Sequence, residues 1–226
     1  MKKQFSIVYV VLAAIFITCC LVSNIMAVKI VDFFGITLTA AIIIFPITYI
    51  LGGVLTEIYG YNNARKVIYL GFFCNALFVT FLTIAIYLPY PYFWANQDAF
   101  AQVVGVTPRI FIAGLIAFLV GSLLNAMVLS KLKVKTKGRF LWLRLIGSTV
   151  IGQGVDTLIF ISIVFIGVLT TNQLLWMIWW QFAFKTAYEI LFTPLAYYII
   201  KKIKKIEKID VYDHKIRYHI FKLRDE

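Results

Sequence analysis

The sequence predicts an all-α membrane protein, six transmembrane helices in one bundle with the N- and C-termini cytoplasmic. Three observations predict it. The 226 residues are 62% apolar and only 14% charged, where a soluble domain averages about 45–50% apolar. Six apolar runs, 5–28, 36–56, 67–88, 110–130, 145–169 and 173–200, reach the roughly 20 residues that a helix needs to cross a bilayer. Of the 22 basic residues, 19 fall in the N-terminus, the second and fourth connections and the tail, against Lys29 and Arg109 on the other side. That asymmetry places both termini inside by the positive-inside rule. Topology thus accounts for the net charge of +12, and nucleic-acid binding is not expected. Residues 1–200 form one transmembrane domain and 201–226 a basic cytoplasmic tail.

The first run follows Lys2 and Lys3. It exceeds the apolar core of about 7–15 residues in a secretory signal and lacks a small-x-small cleavage site, so it reads as a retained span. Cys19, Cys20 and Cys74 read as small apolar packing residues. With His214 and His219 in the tail, no zinc-type ligand set and no cofactor are expected. Pro46 falls near the middle of the second run and predicts a kink whose freed backbone groups need a neighbour or water. The longest outside connection, 89–109, opens with Tyr90, Tyr92, Phe93 and Trp94, an interfacial aromatic belt. Asn96 is placed to cap a short surface helix over 97–104. Gly114, Ala117 and Gly121 give the fourth span a small-residue face for close helix approach. Pro194 predicts a second kink, in the sixth span. Beyond it, isoleucines 203, 206 and 209 recur among lysines, as in an amphipathic helix attracted to anionic lipid or a solvated tail.

Topology does not explain three charged residues within spans: Asp156 in the fifth, Lys185 and Glu189 in the sixth. An ionised side chain near the centre of a span costs roughly 2.5–3.5 kcal/mol, so each should face a partner or a water-filled path. Ser148, Gly152 and Asp156 recur at steps of four, with Gln153 three before Asp156, forming one narrow polar face. Gln181, Lys185, Tyr188, Glu189 and Phe192 share a face of the sixth span. At about 1.5 Å per residue, Asp156 and Lys185 both fall near the midplane of a roughly 30 Å core, within reach of each other. One reading is a structural ion pair fastening two helices. The other is a polar ligand site, favoured because two acids face one base. In it Lys185 pairs with Glu189 along its own helix and leaves Asp156 to the ligand. Asn24 and Asn125 add amides; Tyr49, Phe184 and Tyr188 offer stacking faces. Amide, carboxylate and ammonium groups together suit a heterocycle with several donors and acceptors. No span contains a histidine, and G-x-S-x-G, H-E-x-x-H and Walker signatures are missing, so an enzyme is not expected.

SNIMAVKIV at 23–31, FPITYILGGVLTEIYGY at 45–61, FWANQDAF at 93–100 and TPRI at 107–110 carry a resemblance, as do KTKGRFLWLRLIGSTVIGQGVDTLIF at 135–160 and FKTAYEILFTPLAY at 184–197. Over nearly the whole chain the sequence resembles the bacterial queuosine precursor transporter family, six-span proteins grouped with the vitamin uptake transporters. The resemblance implies a multi-pass protein of the bacterial inner membrane that imports 7-cyano-7-deazaguanine and 7-aminomethyl-7-deazaguanine for tRNA modification. A carboxylate such as Asp156 or Glu189 would accept the guanine-like N–H edge in bidentate fashion, and Gln153, Asn24 or Lys185 would meet the carbonyl. The chain departs at Gly53, where relatives often carry an Asp, and Glu57 stands one turn further along. The alternative is a substrate-binding membrane subunit of a vitamin or nucleobase uptake system that requires a separate ATPase module. Such a module is not expected as a partner; a homo-oligomer is compatible with the sequence.

Overall fold

The computed structural model describes residues 6–33, 36–105 and 108–213. Lys2, Lys3, Thr107, both histidines and the basic residues beyond 213 lie outside the described residues. Helix α1 (Ile7–Val28) starts at Ser6, whose hydroxyl accepts the Tyr9 N–H at 3.1 Å and so satisfies one of the free donors of the first turn. The chain then leaves helical geometry. Strands β1 (Ile30–Phe33) and β2 (Ile36–Thr39) pair antiparallel, with Ile30 opposite Thr39 and Phe33 opposite Ile36. The second span therefore begins later than position 36. Ile30, Val31, Ile36, Thr37 and Thr39 are β-branched and favour extended backbone as well as high hydropathy.

A 3-10 turn (Ala40–Ile43) leads into α2 (Phe45–Tyr59). Pro46 therefore sits in the first turn of α2, where a missing N–H costs nothing, and not at a kink within a continuous helix. Gly60, at φ 81°, turns the chain directly into α3 (Tyr61–Tyr87). The short helix α4 (Gln97–Val104) forms where expected, but the Asn96 side chain does not cap it; Gln97 Nε2 instead donates to Ile86 O at 2.8 Å. Helix α5 (Pro108–Lys135) connects to α6 (Leu141–Phe165) through a turn in which Lys137, Gly138 and Phe140 all have positive φ. Arg109 donates to the carbonyls of Ile163 and Ile166 at 2.5 Å and 2.6 Å, a cation on the C-terminal end of α6. Helix α7 (Thr171–Glu207) begins with a capping box between Thr170 and Gln173 and contains Pro194 in its interior.

Among the described residues, five helical segments are long and apolar enough to cross a membrane: Ile7–Val28, Ala40–Tyr59, Tyr61–Tyr87, Pro108–Lys135 and Leu141–Phe165. Helix α7 is longer than any single helix among these at 37 residues, about 55 Å, but carries Lys185 and Glu189 within its apolar run. Helix α2 packs against α1, α3, α5 and α7 and is buried continuously from Thr48 to Tyr59, the pattern of a helix enclosed on all sides. Its Val54, Leu55 and Ile58 join Phe16, Ile68, Leu129 and Ile200 in the core. Phe73, Phe81, Trp176, Trp179 and Leu191 are exposed on the outside of the bundle. The Tyr59 hydroxyl lies 3.4 Å from Ser6 Oγ and donates to Glu207 at 3.3 Å. Both ends of the described chain therefore lie at one end of the bundle, together with Arg65, Lys133 and Arg144.

Candidate functional site

Two glycines set the geometry of the site. A Cβ on Gly121 of α5 would lie 2.9 Å from the Gly152 carbonyl oxygen, 2.8 Å from Asp156 Cβ and 2.5 Å from the Tyr49 hydroxyl. A Cβ on Gly152 would lie 2.7 Å from Asn125 Cβ. Only residues without side chains let these backbones come so close. The small-residue face expected on the fourth span thus brings Asn125, Tyr49 and Asp156 to one place.

Lys185 Nζ of α7 donates to Asp156 Oδ2 at 3.0 Å and to Thr157 Oγ1 at 3.3 Å. The Phe45 ring lies under the same ammonium at 4.6 Å, in cation–π range. Asp156 is about 14 Å along α6 from Phe165, and Lys185 about 21 Å along α7 from Thr171, so the pair lies well inside the bundle. Glu189 is not paired with Lys185. Its Oε1 accepts from Thr149 at 3.0 Å, one side of α6 below the ion pair. The expected pairing along α7 is therefore corrected: Lys185 takes the buried acid of the neighbouring helix, which would otherwise stand uncompensated.

Several buried polar atoms of this region have no hydrogen-bond partner among the described residues: both side-chain atoms of Gln153, Asn125 Oδ1 and Glu189 Oε2. Gln153 is fully buried and Asn125 and Glu189 nearly so. An unsatisfied buried group costs about 1–3 kcal/mol, and a bound polar ring would relieve it. The other sequence candidates lie apart from these atoms. Asn24 donates to Asn75 Oδ1 and lines an otherwise apolar cleft with Val79 and Val103. Tyr188 stacks on Phe192 at 4.4 Å and donates to Ile43 O at 3.1 Å. Phe184 is exposed on the outside of α7, and Tyr49 alone of the proposed aromatics is buried beside Asp156. Phe45, which no spacing rule on α6 or α7 could reveal, supplies the ring at Lys185. Among the described residues no three metal-ligating side chains come together.

A second charged cluster went unread in the sequence. Glu57, fully buried at the end of α2, accepts from Arg144 Nη2 at 2.7 Å and Lys204 Nζ at 2.8 Å, with Lys133 Nζ at 3.7 Å. Lys133 and Lys204 also hold Asp210, at 2.5 Å and 2.8 Å. Burial alone would raise the Asp210 carboxyl, but the hydrogen bonds from these two lysines outweigh it and keep it below the ordinary carboxylate value. Lys133, Arg144 and Lys204 are thus more than topological charges. Gly53 packs elsewhere: a Cβ there would meet Leu145 Cδ2 at 3.3 Å.

Residues 39–199 match the family described as "Putative vitamin uptake transporter". The chain is also 32% identical over 195 residues, 85% of its own length and 84% of the relative's, to a "Probable queuosine precursor transporter" of Bacillus subtilis (strain 168). No solved structure matches it. With apolar spanning helices around a buried charged site, and with a match over most of its length, the chain belongs to the vitamin uptake transporter family.

Proposed function

We propose that the chain imports queuosine precursors, with 7-cyano-7-deazaguanine and 7-aminomethyl-7-deazaguanine as its solutes. Family membership and the printed name of the relative support solute transport. The observation that carries the choice of solute is the set of unpartnered polar atoms beside the Asp156–Lys185 pair. A deazaguanine edge presents N–H donors beside a carbonyl acceptor. Glu189 Oε2 and Asn125 Oδ1 suit the donors, and the Gln153 amide suits the carbonyl. In this reading α7 is the sixth span, the basic end faces the cytoplasm, and the protein is a multi-pass component of a bacterial inner membrane. The direct contact of Asp156 with Lys185 favours one second reading, in which that pair fastens α6 to α7 and the solute is read by the amides and Glu189 alone.

Purified chain in vesicles tests the proposal without any ATPase module present. It should accumulate labelled 7-aminomethyl-7-deazaguanine, and the nitrile and aminomethyl forms should both compete. Analogues lacking the exocyclic amine should compete roughly ten- to a hundredfold less well, since they leave a buried carboxylate unpaired. Equal competition by adenine or biotin overturns the assignment.

A further inference from the structure

The cluster around Glu57 ties the segment after α7 to the ends of α2, α5 and α6, away from the solute site. Helix α7 stops at Lys208, which takes left-handed geometry at φ 53°, and the chain turns back across the basic end of the bundle. Asp210 bridges Lys133 of α5 and Lys204 of α7. The Val211 N–H donates to Ile58 O at 3.2 Å, and Val211 O accepts from Lys133 at 2.7 Å. The Tyr212 ring lies under the Lys133 ammonium at 4.6 Å. Asp213 Oδ2 accepts the Tyr61 N–H at 2.8 Å, at the first turn of α3, and also bonds Ser130 of α5. Through Glu57 and Arg144 the same cluster reaches α6.

Beneath this crossing runs a file of buried polar side chains on α6. Asp156, Gln153 and Thr149 form one row at steps of three and four, Ser148 and Arg144 form the row beside it, and each is 3% exposed or less. The file starts at the ion pair with Lys185 and ends at Glu57, where residues 209–213 lie over it.

We propose that residues 209–213 form a strap that closes the basic end of the bundle over this polar file, and that the strap lifts when solute passes that end. The proposal rests on the transport reading above. The chemistry of the strap is what makes it reversible. In a buried ion pair the lost hydration offsets most of the attraction, so its charges regain water on opening at small net cost. Apolar side chains in the same place would expose apolar surface to water each time. Water already reaches the outermost pair, since the Asp210 side chain is 42% exposed. Alternating access needs two such states of comparable free energy.

Ser148→Cys, in a version cleared of Cys19, Cys20 and Cys74, reports access to the file. In vesicles whose basic end faces the medium, Asp210→Ala should speed maleimide labelling of that cysteine by about fivefold, the population shift expected from losing a partly exposed carboxylate that pairs with two lysines. Holding the strap down should do the reverse. A disulfide between Ser130→Cys and Asp213→Cys, whose parent side chains touch, should slow labelling and stop uptake until reductant restores both. Unchanged labelling in Asp210→Ala, or full uptake by the crosslinked protein, overturns the strap. Labelling that responds as expected in a protein that moves no deazaguanine supports the strap and removes the solute assignment instead.

Discussion

Asp156 Oδ2 and Lys185 Nζ lie 3.0 Å apart across the contact between α6 and α7, with side chains only 4% and 12% exposed. Each is the counter-charge that lets the other remain inside an apolar helix.

Asp156→Asn and Lys185→Ala should each abolish uptake while the protein still inserts. Either change strands the remaining charge, at about 3–5 kcal/mol for a buried pair. Transport assays at matched protein levels in the membrane check this. Uptake at parental rates by both variants places the pocket elsewhere, and loss of folded protein in both makes the pair a fastening between helices.

The glycine crossing separates positions sharply. Gly121→Ala and Gly152→Ala put a methyl within 3.0 Å of neighbouring atoms, so each should lower thermal stability by about 1–3 kcal/mol, as overpacking does. Gly114→Ala, whose new Cβ meets nothing nearer than 3.9 Å, should melt like the parent. Fluorescence-detected melting in detergent distinguishes them.

Glu57→Gln leaves Arg144, Lys133 and Lys204 facing one another without their central acid. The expected loss is about 3–5 kcal/mol, seen as a lower melting temperature and reduced yield of folded protein. A parental melting temperature would show that the cations find equal partners without it.

Asp210 sets the acid side of stability at the strap. Its folded carboxyl lies below its ordinary value of 3.8. The stabilisation is therefore complete above the unfolded value and disappears as pH falls through the lower folded one. Melting scans from about pH 6 to pH 3 should show an acid-side decline that Asp210→Asn flattens, the variant melting lower across the neutral range, where the parent's stabilisation is fully present.

Orientation is checked by labelling single cysteines in intact cells. Gln97→Cys should react with an impermeant reagent from outside, and Lys205→Cys should be protected. Labelling at position 205 from outside inverts the topology.

Hydropathy and the cost of a charge in lipid are local properties of a run, so the long apolar helices, and the need of Asp156 and Lys185 for buried partners, were legible in the sequence. Helical rise alone placed the two at similar depth. Which partner each charge takes was not legible, because it depends on the rotation of α6, which the close crossing of its Gly152 with Gly121 of a third helix, α5, fixes. Lys185 and Glu189 share an i, i+4 relation on α7, yet one turns to Asp156 and the other to Thr149. The hairpin over 30–39 was hidden because its β-branched residues carry the same hydropathy as a span. The cluster around Glu57 was hidden for a different reason. Its cations sit in connections and tail, where the positive-inside rule already gives every lysine and arginine a purpose.

Glu57 reaches the membrane long before its partners are synthesised. Lys133 follows it by 76 residues, Arg144 by 87 and Lys204 by 147, a wait of roughly 4 s to 30 s at about 5–20 residues per second of translation. During that interval the carboxylate needs water or the insertion machinery for company. Its place two residues from the end of α2 keeps it near the interface, where water is available. The basic end of the bundle is thus the last to be finished. A nascent chain halted before Lys133 would hold α2 in the bilayer by its apolar residues alone, with one corner of the protein still undecided between lipid and water.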